Sequence, residues 1–417
     1  MIRNQKLAQW ILLVGLVSSL GCEGKTSAPA PSAELSTQKL NELTHLAPVS
    51  EADAEVIRKA VEAAVAEQNS AAFQALIDES TLISRILAGI DVDPKFRNDF
   101  TAGIRHSGGV KRLTDEIIQG AQAGGSYSFV RMVKTGDEIR PMFRMVPAEG
   151  GVNHHELILS KNASGQPMIA DIHVHLTGEP VSQTIRRLAL PAIAQQNSGI
   201  LARLTGAEAE VVKQFKKLME ANQLMQAGNH TQALTVLNSL TGELQNDKTI
   251  LLLKLTAAQQ VDEAAYVATI RELERLYPED VSRDLRSIDL LIVQERHEDL
   301  LKAIDRLVSS VQDPYLNIYK IDALIALNRL EEARSTMTQI RQAVPDVLHV
   351  YWTEVGLLLK LKDHAATAAL LDEIGEKFGI DFGDVSTIAE YADFAASDIG
   401  KKWMAKQAGK ATPPEQQ

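Results

Sequence analysis

The sequence predicts a mainly α-helical protein, in which a small α+β domain with a four-stranded antiparallel sheet precedes a helical-repeat array. Three observations support this class. The chain is 45% hydrophobic but only 5% aromatic, and its many Ala and Leu residues favour helices. Residues 126–176 hold short runs with strand-like alternation, joined by turn-forming residues. From about residue 208 onward, apolar residues recur at helical spacing, and the pattern repeats with a period of about 34 residues.

Length and charge narrow the class of protein further. A chain of 417 residues predicts two or three domains, at about 150 residues for each. The net charge of −11 argues against nucleic acid as a partner, because binding to phosphates requires clustered Lys and Arg.

Residues 1–21 have the pattern of a signal peptide. Arg3 and Lys6 precede the apolar run Trp10–Leu20, which is too short to cross a bilayer core of about 30 Å as a helix. Cys22 follows directly and is the single cysteine of the chain, which excludes an intrachain disulfide. We therefore expect export of the chain from the cytoplasm.

The junction Ser19-Leu20-Gly21-Cys22 resembles the lipobox of bacterial lipoproteins, although Ser19 stands where that family usually has Leu. The resemblance implies a diacylglycerol and an amide-linked acyl chain on Cys22, and several acyl chains anchor a protein firmly. Glu23 would favour the outer membrane, facing the periplasm, by the sorting rule of enteric bacteria. The alternative is an ordinary signal peptide that leaves a free thiol.

Next come a tether and the α+β domain. Residues 22–50 are rich in Ser, Ala and Pro, which predicts a flexible tether. Within 51–180, helical patterns extend to about Gln122, and four strand-like runs joined by turns follow the break at Gly124-Gly125. Residues 181–207 are interpreted as a linker helix.

The order of these elements, and the closing stretch "MIADIHVHLTGEPVS", is similar to the cone-shaped α+β fold of the ketosteroid-isomerase-like family. In that fold an enzyme would need an acid or a base inside the cone. Alternation places only apolar residues there. No nucleophile, phosphate-loop or dinucleotide motif stands out either, so we expect no catalysis and no cofactor.

Two predicted strands of this domain carry alternating polar side chains. These are His154, Glu156, Asp171, His173 and His175. If Asn162 faces Gly165 across a two-residue turn, His154 lies opposite His173 and Glu156 opposite Asp171. Imidazoles and carboxylates in one row could bind Zn²⁺. A solvated outer face is the favoured interpretation, because an odd-length turn would destroy the register on which the cluster depends.

Three arginines on neighbouring strands, Arg131, Arg140 and Arg144, could meet an anion. The favoured interpretation is again that these side chains cover an outer, solvated face of the sheet.

The repeat is anchored by positions spaced about 34 residues apart along the chain. They are Ala233, Tyr266, Leu300, Ala333 and Thr367. The residues four and seven places after every anchor are all apolar, which puts each trio on one face of a helix. Such a face must pack against a neighbouring element.

The pattern resembles the tetratricopeptide repeat family, most closely at Ala333, Met337, Ile340 and Pro345. The resemblance implies five helix-turn-helix units over 208–380, stacked as a solenoid with a concave surface. Residues 381–408 are predicted to form a capping helix, with Ile388, Tyr391, Phe394, Ile399 and Trp403 packed on the last unit. We expect 409–417 to be a disordered tail.

In that family the first helix of each unit lines the concave surface. The corresponding residues here form a candidate groove for an apolar or helical segment of a partner, and include Leu251, Leu285, Asp289, Ile318, Asp322 and Trp352. Two functions remain open. One is a membrane-tethered scaffold that binds a protein without catalysis, and the other is a metal- or small-ligand-binding, enzyme-like α+β domain whose repeats recruit a partner.

Overall fold

The computed structural model describes most of the chain from residue 40 onward. The described residues are 40, 44–90, 92–106, 108–122, 124–148, 151–186, 189, 210, 212–278 and 283–410. The signal peptide, Cys22 and most of the tether, linker helix and tail fall outside them. The chain divides into two compact units, Met1–Arg286 and Ser287–Gln417.

The protein is mainly helical, with one antiparallel sheet in its first unit. The helices before the sheet include α1 (Glu51–Ala66), α2 (Ser70–Ala75), α3 (Glu79–Ile86), α4 (Pro94–His106) and α5 (Gly109–Gly120). Ser50 starts α1 with a reciprocal capping box, in which its hydroxyl accepts from the Asp53 backbone and the Asp53 carboxylate accepts from the Ser50 backbone.

The sheet is a meander of five strands in chain order. Its strands are β1 (Ser126–Thr135), β2 (Glu138–Val146), β3 (Asn153–Lys161), β4 (Pro167–Val174) and β5 (Glu179–Pro180). The sheet therefore has one strand more than the four that were expected. The fifth strand has two residues, which is too short for any alternation to be visible in the sequence.

One face of the sheet and the helices enclose the core of the α+β region. Phe143, Leu157 and Ile172 from the strands pack in one cluster with Ile57 and Val61 from α1. Burial of these side chains is the main term that stabilises the layer. Gly125 allows the chain to turn from α5 into β1, since a Cβ there would lie 1.9 Å from the Gly120 carbonyl oxygen.

The folded region begins before residue 51. The Ala47 backbone N–H donates to Ser160 Oγ on β3 over 2.9 Å, and Val49 packs against the core. Thr44 Oγ1 accepts from the Arg85 guanidinium. The last residues of the expected 22–50 tether are thus part of the domain, because polar backbone near a sheet finds partners there.

After the sheet, the regular elements among the described residues are α-helices and short 3₁₀ turns. The first unit continues with α6 (Phe215–Gln226), α7 (His230–Asn238), α8 (Lys248–Gln259) and α9 (Glu263–Leu276), and the unit boundary falls within α10 (Arg283–Val293). The second unit contains α11 (His297–Val311), α12 (Ile318–Ala326), α13 (Leu330–Ala343), α14 (Leu348–Lys360), α15 (His364–Phe378), α16 (Ala392–Ala396) and α17 (Asp398–Lys410).

These helices form successive pairs: α6 packs on α7, α8 on α9, α12 on α13 and α14 on α15. The turns within α6–α7, α12–α13 and α14–α15, and the turn that joins α10 to α11, have the same conformation. Their left-handed residues are Gly228, Glu295, Asn328 and Lys362, with φ of +76°, +53°, +56° and +56°. In each case the next backbone N–H donates to the carbonyl of a leucine earlier in the chain, as in a Schellman motif.

The C-terminal segment is not the single capping helix that was expected. Two 3₁₀ turns, Val385–Thr387 and Ala389–Tyr391, precede α16 and α17. Phe394 and Trp403 are buried, whereas Ile388 and Ile399 are 44% and 41% exposed. The prediction is wrong for Ile388 because its own backbone is extended between the two 3₁₀ turns, and wrong for Ile399 because the extended backbone at Ser397 interrupts the helix.

Candidate functional site

The hairpin β3–β4 has a different register from the expected one. Its turn has three residues instead of two, because the Asn162 N–H donates to the Gln166 carbonyl, and a bulge shifts the pairing again near Ala170. Glu156 consequently lies opposite His173, and Ile158 lies opposite Asp171. The expected pairs His154–His173 and Glu156–Asp171 are wrong.

We define the polar face of the sheet by six residues: Arg140, Arg144, His154, Glu156, His173 and His175. This face is not a solvated surface. His154 is 1% exposed, and the two arginines are 7% and 4% exposed. The favoured interpretation as outer, solvated residues is therefore wrong for His154, Arg140 and Arg144, whereas Arg131, His173 and His175 are half-buried. Strand alternation identifies which residues share a face, but it cannot show which elements cover that face.

Asp171 belongs to a different network. Its Oδ2 accepts from Arg85 Nε on α3 over 2.7 Å and from the hydroxyl of Ser182. Both charged side chains of the ion pair are completely buried. The carboxylate of Asp171 is therefore engaged by Arg85 and Ser182.

Glu156 and His175 form the centre of the polar face. His175 Nε2 lies 2.8 Å from Glu156 Oε1, and Arg140 Nη1 lies 3.3 Å from Oε2. Burial alone would raise the pKa of Glu156, but the hydrogen bond from His175 and the nearby positive groups lower it to about 2. Glu156 is therefore ionised at neutral pH.

His173 remains neutral at physiological pH. Burial lowers its pKa to about 4, and the charges of His175, Arg140 and Lys248 lower it further, against the opposing effect of Glu156. Lys248 is the first residue of α8, so the repeat region of the first unit contributes to the potential at this face. Within the described part of the chain, the buried Nδ1 of His173 has no hydrogen-bond partner.

The polar face does not have the geometry of a metal centre. His154 and His175 have ring centroids 5.6 Å apart, and those of His173 and His175 are 5.7 Å apart. Among the described residues, no group of three or more His, Cys, Asp or Glu side chains is arranged to hold a metal ion. The Glu156 carboxylate is already paired with His175 and Arg140.

His155 is a buried histidine that the sequence analysis did not single out. It points to the core face, where its Nδ1 lies 3.3 Å from the Tyr127 hydroxyl. Burial lowers its pKa to about 3, helped by the neighbouring histidines. Its position between His154 and Glu156 could have identified it, because adjacent strand residues face opposite sides.

The candidate groove on the repeats is closed at several of its predicted positions. Leu251, Leu285 and Ile318 are 0%, 3% and 4% exposed, so they are packing residues rather than surface residues. Trp352 is half-buried and packs edge-on against Phe382, with ring centroids 6.0 Å apart. The side chain of Asp289 lies outside the described set.

An open surface is found one and two turns further along the same helix faces. Asp322 and Gly356 are exposed, and Ile325 and Leu359 are half-buried. These four residues, on the adjacent helices α12 and α14, are named the α12–α14 strip. The surrounding protein partly desolvates the Asp322 carboxyl and raises its pKa, although solvent still reaches the side chain.

No helix among the described residues is long and apolar enough to cross a membrane. Comparison of the chain with models of protein families, with curated proteins and with solved structures found no match. The proposed function therefore depends on the described residues and their geometry.

Proposed function

We propose that this chain is a lipid-anchored protein of the cell envelope that binds another protein through a solenoid of stacked helical pairs, without catalysis. The recurring turn carries the proposal. A left-handed residue at the same place and the same hydrogen bond to a leucine recur in four turns between helices, at a spacing that matches the period of the sequence repeat. Units of one length and one turn geometry are typical of tetratricopeptide-like arrays.

The anchor positions of the repeat support the same arrangement. Ala233, Leu300, Ala333 and Thr367 are at most 1% exposed, and Tyr266 is 8% exposed. A helix that buries the same position in every unit packs against its neighbours in the same way each time. Repeated packing of this kind buries part of the first-helix faces and leaves the α12–α14 strip open to a partner.

The proposed anchor is Cys22. The apolar run before it and the lipobox-like junction support lipidation, and the proposed location is the outer membrane, facing the periplasm. A scaffold held at a membrane concentrates its partner there without any chemistry of its own.

Capture of the partner tests the proposal. We expect the tagged chain, purified from detergent-solubilised membranes at native expression, to retain a stoichiometric protein, and the double variant Ile325→Glu/Leu359→Glu to lose it. The variant should keep its helical circular dichroism, because both side chains are only half-buried. Val56→Glu is the matched control, since Val56 is 58% exposed on α1. Absence of any stoichiometric partner of the unaltered chain would contradict the proposal.

A metal- or small-ligand-binding α+β domain is the alternative proposal. The buried Nδ1 of His173 favours it, because an imidazole nitrogen without a described partner is a ready ligand donor. The ion pairing of Glu156 disfavours a metal. Elemental analysis after dialysis separates the two proposals: a stoichiometric ion that disappears in His173→Ala would support the alternative.

A further inference from the structure

We infer that the outer edge of β1 binds an extended segment of another protein as an added strand, with an acidic residue of that segment paired to Lys134. The inference does not depend on the proposed function of the helical pairs, because it concerns the α+β region alone. It adds a second interaction surface and the chemistry of the segment that this surface accepts.

The two edges of the sheet differ in length. β5 forms one edge with two residues, whereas β1 forms the other edge with ten. Among the described residues, β1 has a neighbouring strand on one side, which is β2. Edge strands of soluble proteins are usually short, because their unpaired N–H and C=O groups are a template for another strand. The sheet therefore presents one long open edge.

The turn from β1 to β2 determines which backbone groups of β1 face this edge. Thr135 closes a two-residue turn, and the closing pair of such a hairpin exchanges both of its hydrogen bonds. Alternation then directs the N–H and C=O groups of Lys134 and Met132 away from β2. Pro141, which lies opposite Met132 and has no N–H, agrees with this pattern. The Met132 carbonyl accepts from Arg131 Nη1 over 3.4 Å, a long contact that an added strand would replace.

The side chains beside the open edge are apolar on the core side of the sheet. Phe129 and Met132 are half-buried and pack against the margin of the core. The Arg58 guanidinium lies over the Phe129 ring, 5.0 Å from its centroid. Apolar side chains of an added strand would extend this layer, as cross-strand pairs do within a sheet. The edge therefore fits a segment in which apolar and polar residues alternate.

Charge selects the kind of segment. β1 contains Arg131 and Lys134 and no acidic residue. Two copies of β1 paired with each other would bring four like charges onto one ladder, and the bulge at Val130 twists the edge further against such pairing. Lys134 is 65% exposed, and its 3.4 Å pair with Glu51 lies in solvent. The occupant is therefore a strand of a partner protein with an acidic residue near Lys134, and not a second copy of this chain.

Designed peptides test the inference directly. The probes are labelled peptides of alternating Thr and Val with the same residue at both ends, which is Glu, Gln or Lys. Identical ends bring this residue near Lys134 in either strand direction. By fluorescence anisotropy on the full mature chain, we expect the Glu peptide to bind about threefold more tightly than the Gln peptide, and the Lys peptide to bind most weakly. The net charge of −11 would favour the opposite order, so this order identifies a local contact.

Backbone methylation shows whether the peptide binds as a strand. An added strand uses the N–H groups of alternate residues, while those of the residues between them point away. N-methylation of the Val residues and N-methylation of the Thr residues should therefore differ, one abolishing binding of the Glu peptide and the other preserving it. Amide hydrogen exchange at Met132 and Lys134 should become slower when the Glu peptide saturates the chain.

Lys134→Gln assigns the preference to this edge. It should remove the preference for Glu over Gln, whereas Lys402→Gln, the same change of charge at an exposed site on α17, should keep it. Both variants should melt at the temperature of the unaltered chain, because both side chains are exposed.

The inference is overturned if no peptide binds, if both methylated peptides bind alike, if exchange at Met132 and Lys134 is unchanged, or if the preference for Glu survives Lys134→Gln. A dimer of the chain that the Glu peptide dissociates, measured by sedimentation, would also overturn it, because a second copy would then be the occupant. The proposed function is tested separately by Ile325→Glu/Leu359→Glu, whose residues lie outside the α+β region.

Discussion

Arg85 and Asp171 join three parts of the α+β region at the scale of single residues. Arg85 comes from α3 and Asp171 from β4, and the Ser182 hydroxyl donates to the same carboxylate from the segment after β5. Thr44 Oγ1 accepts from the other side of the guanidinium. Because both charges are fully buried, each depends on the other for its stabilisation.

We predict that Asp171→Ala lowers the free energy of unfolding by about 3–5 kcal/mol, since it leaves the buried Arg85 charge without its carboxylate. Urea denaturation followed by circular dichroism measures the loss. The double variant Arg85→Met/Asp171→Leu should recover a large part of it, because apolar residues of similar size need no compensation. Equal losses in the single and double variants would show that the network is not an ion pair in energetic terms.

The buried histidines predict a loss of stability in mild acid. Burial lowers the pKa of His155 to about 3 and that of His173 to about 4, from an unfolded value of 6.5. The unfolded chain thus binds more protons, so their contribution is complete above pH 6.5 and decreases as the pH falls towards 4. Glu156, with a pKa of about 2, loses its contribution only below pH 4.5.

Between pH 6.5 and 4.5, the pH dependence of stability therefore reports the histidines and not Glu156. We expect the urea midpoint to fall steeply across this window in the unaltered protein and less steeply in His155→Gln, which removes one titrating ring. His45→Gln is the control, as this histidine lies outside the sheet. An unchanged slope in His155→Gln would mean that His155 is accessible to protons in the folded state.

At the scale of elements, turn length and helix breaks decide details that periodicity leaves open. The three-residue turn after Asn162 and the bulge at Ala170 change the register, so that Glu156 lies opposite His173 instead of Asp171. The extended backbone at Ile388 and the break at Ser397 leave Ile388 and Ile399 exposed. In both cases the alternation within each element was predicted, but the junction between elements changed which side chains meet.

The junction of α16 and α17 depends on Gly400. A Cβ at this position would lie 1.9 Å from the Phe394 carbonyl oxygen, so Gly400→Ala must displace the backbone. We predict a loss of about 2–4 kcal/mol, as expected for a steric clash in a packed junction, and exposure of the buried Trp403. A red shift of tryptophan emission and a lower melting temperature would report it.

Gly409→Ala is the matched control on the same helix, since a Cβ there meets nothing within 4 Å. It should leave stability unchanged or raise it slightly through better helix propensity. If both alanine variants change stability by the same amount, the close approach at Gly400 does not stabilise the junction.

At the scale of the whole molecule, the proposed anchor makes the membrane location of the protein depend on Cys22. We predict that mass spectrometry of the mature N-terminus finds a lipid adduct on Cys22, and that Cys22→Ser moves the protein from the membrane to the soluble fraction. Several acyl chains bind firmly where one is marginal, so the loss should be nearly complete. Membrane association that survives the substitution would contradict the lipoprotein proposal.

The sequence by itself determined the classes and periods of the elements: a mainly helical chain, an antiparallel sheet with one apolar face, and helical pairs that recur with the period of the sequence repeat. These follow from local patterns of apolar side chains, which act over a few residues. Tertiary structure alone decided that the polar face is buried, that Leu251, Leu285 and Ile318 are packing residues, and that the open surface lies at Asp322 and Gly356. Exposure depends on residues distant in sequence, and no periodicity encodes which element covers a face.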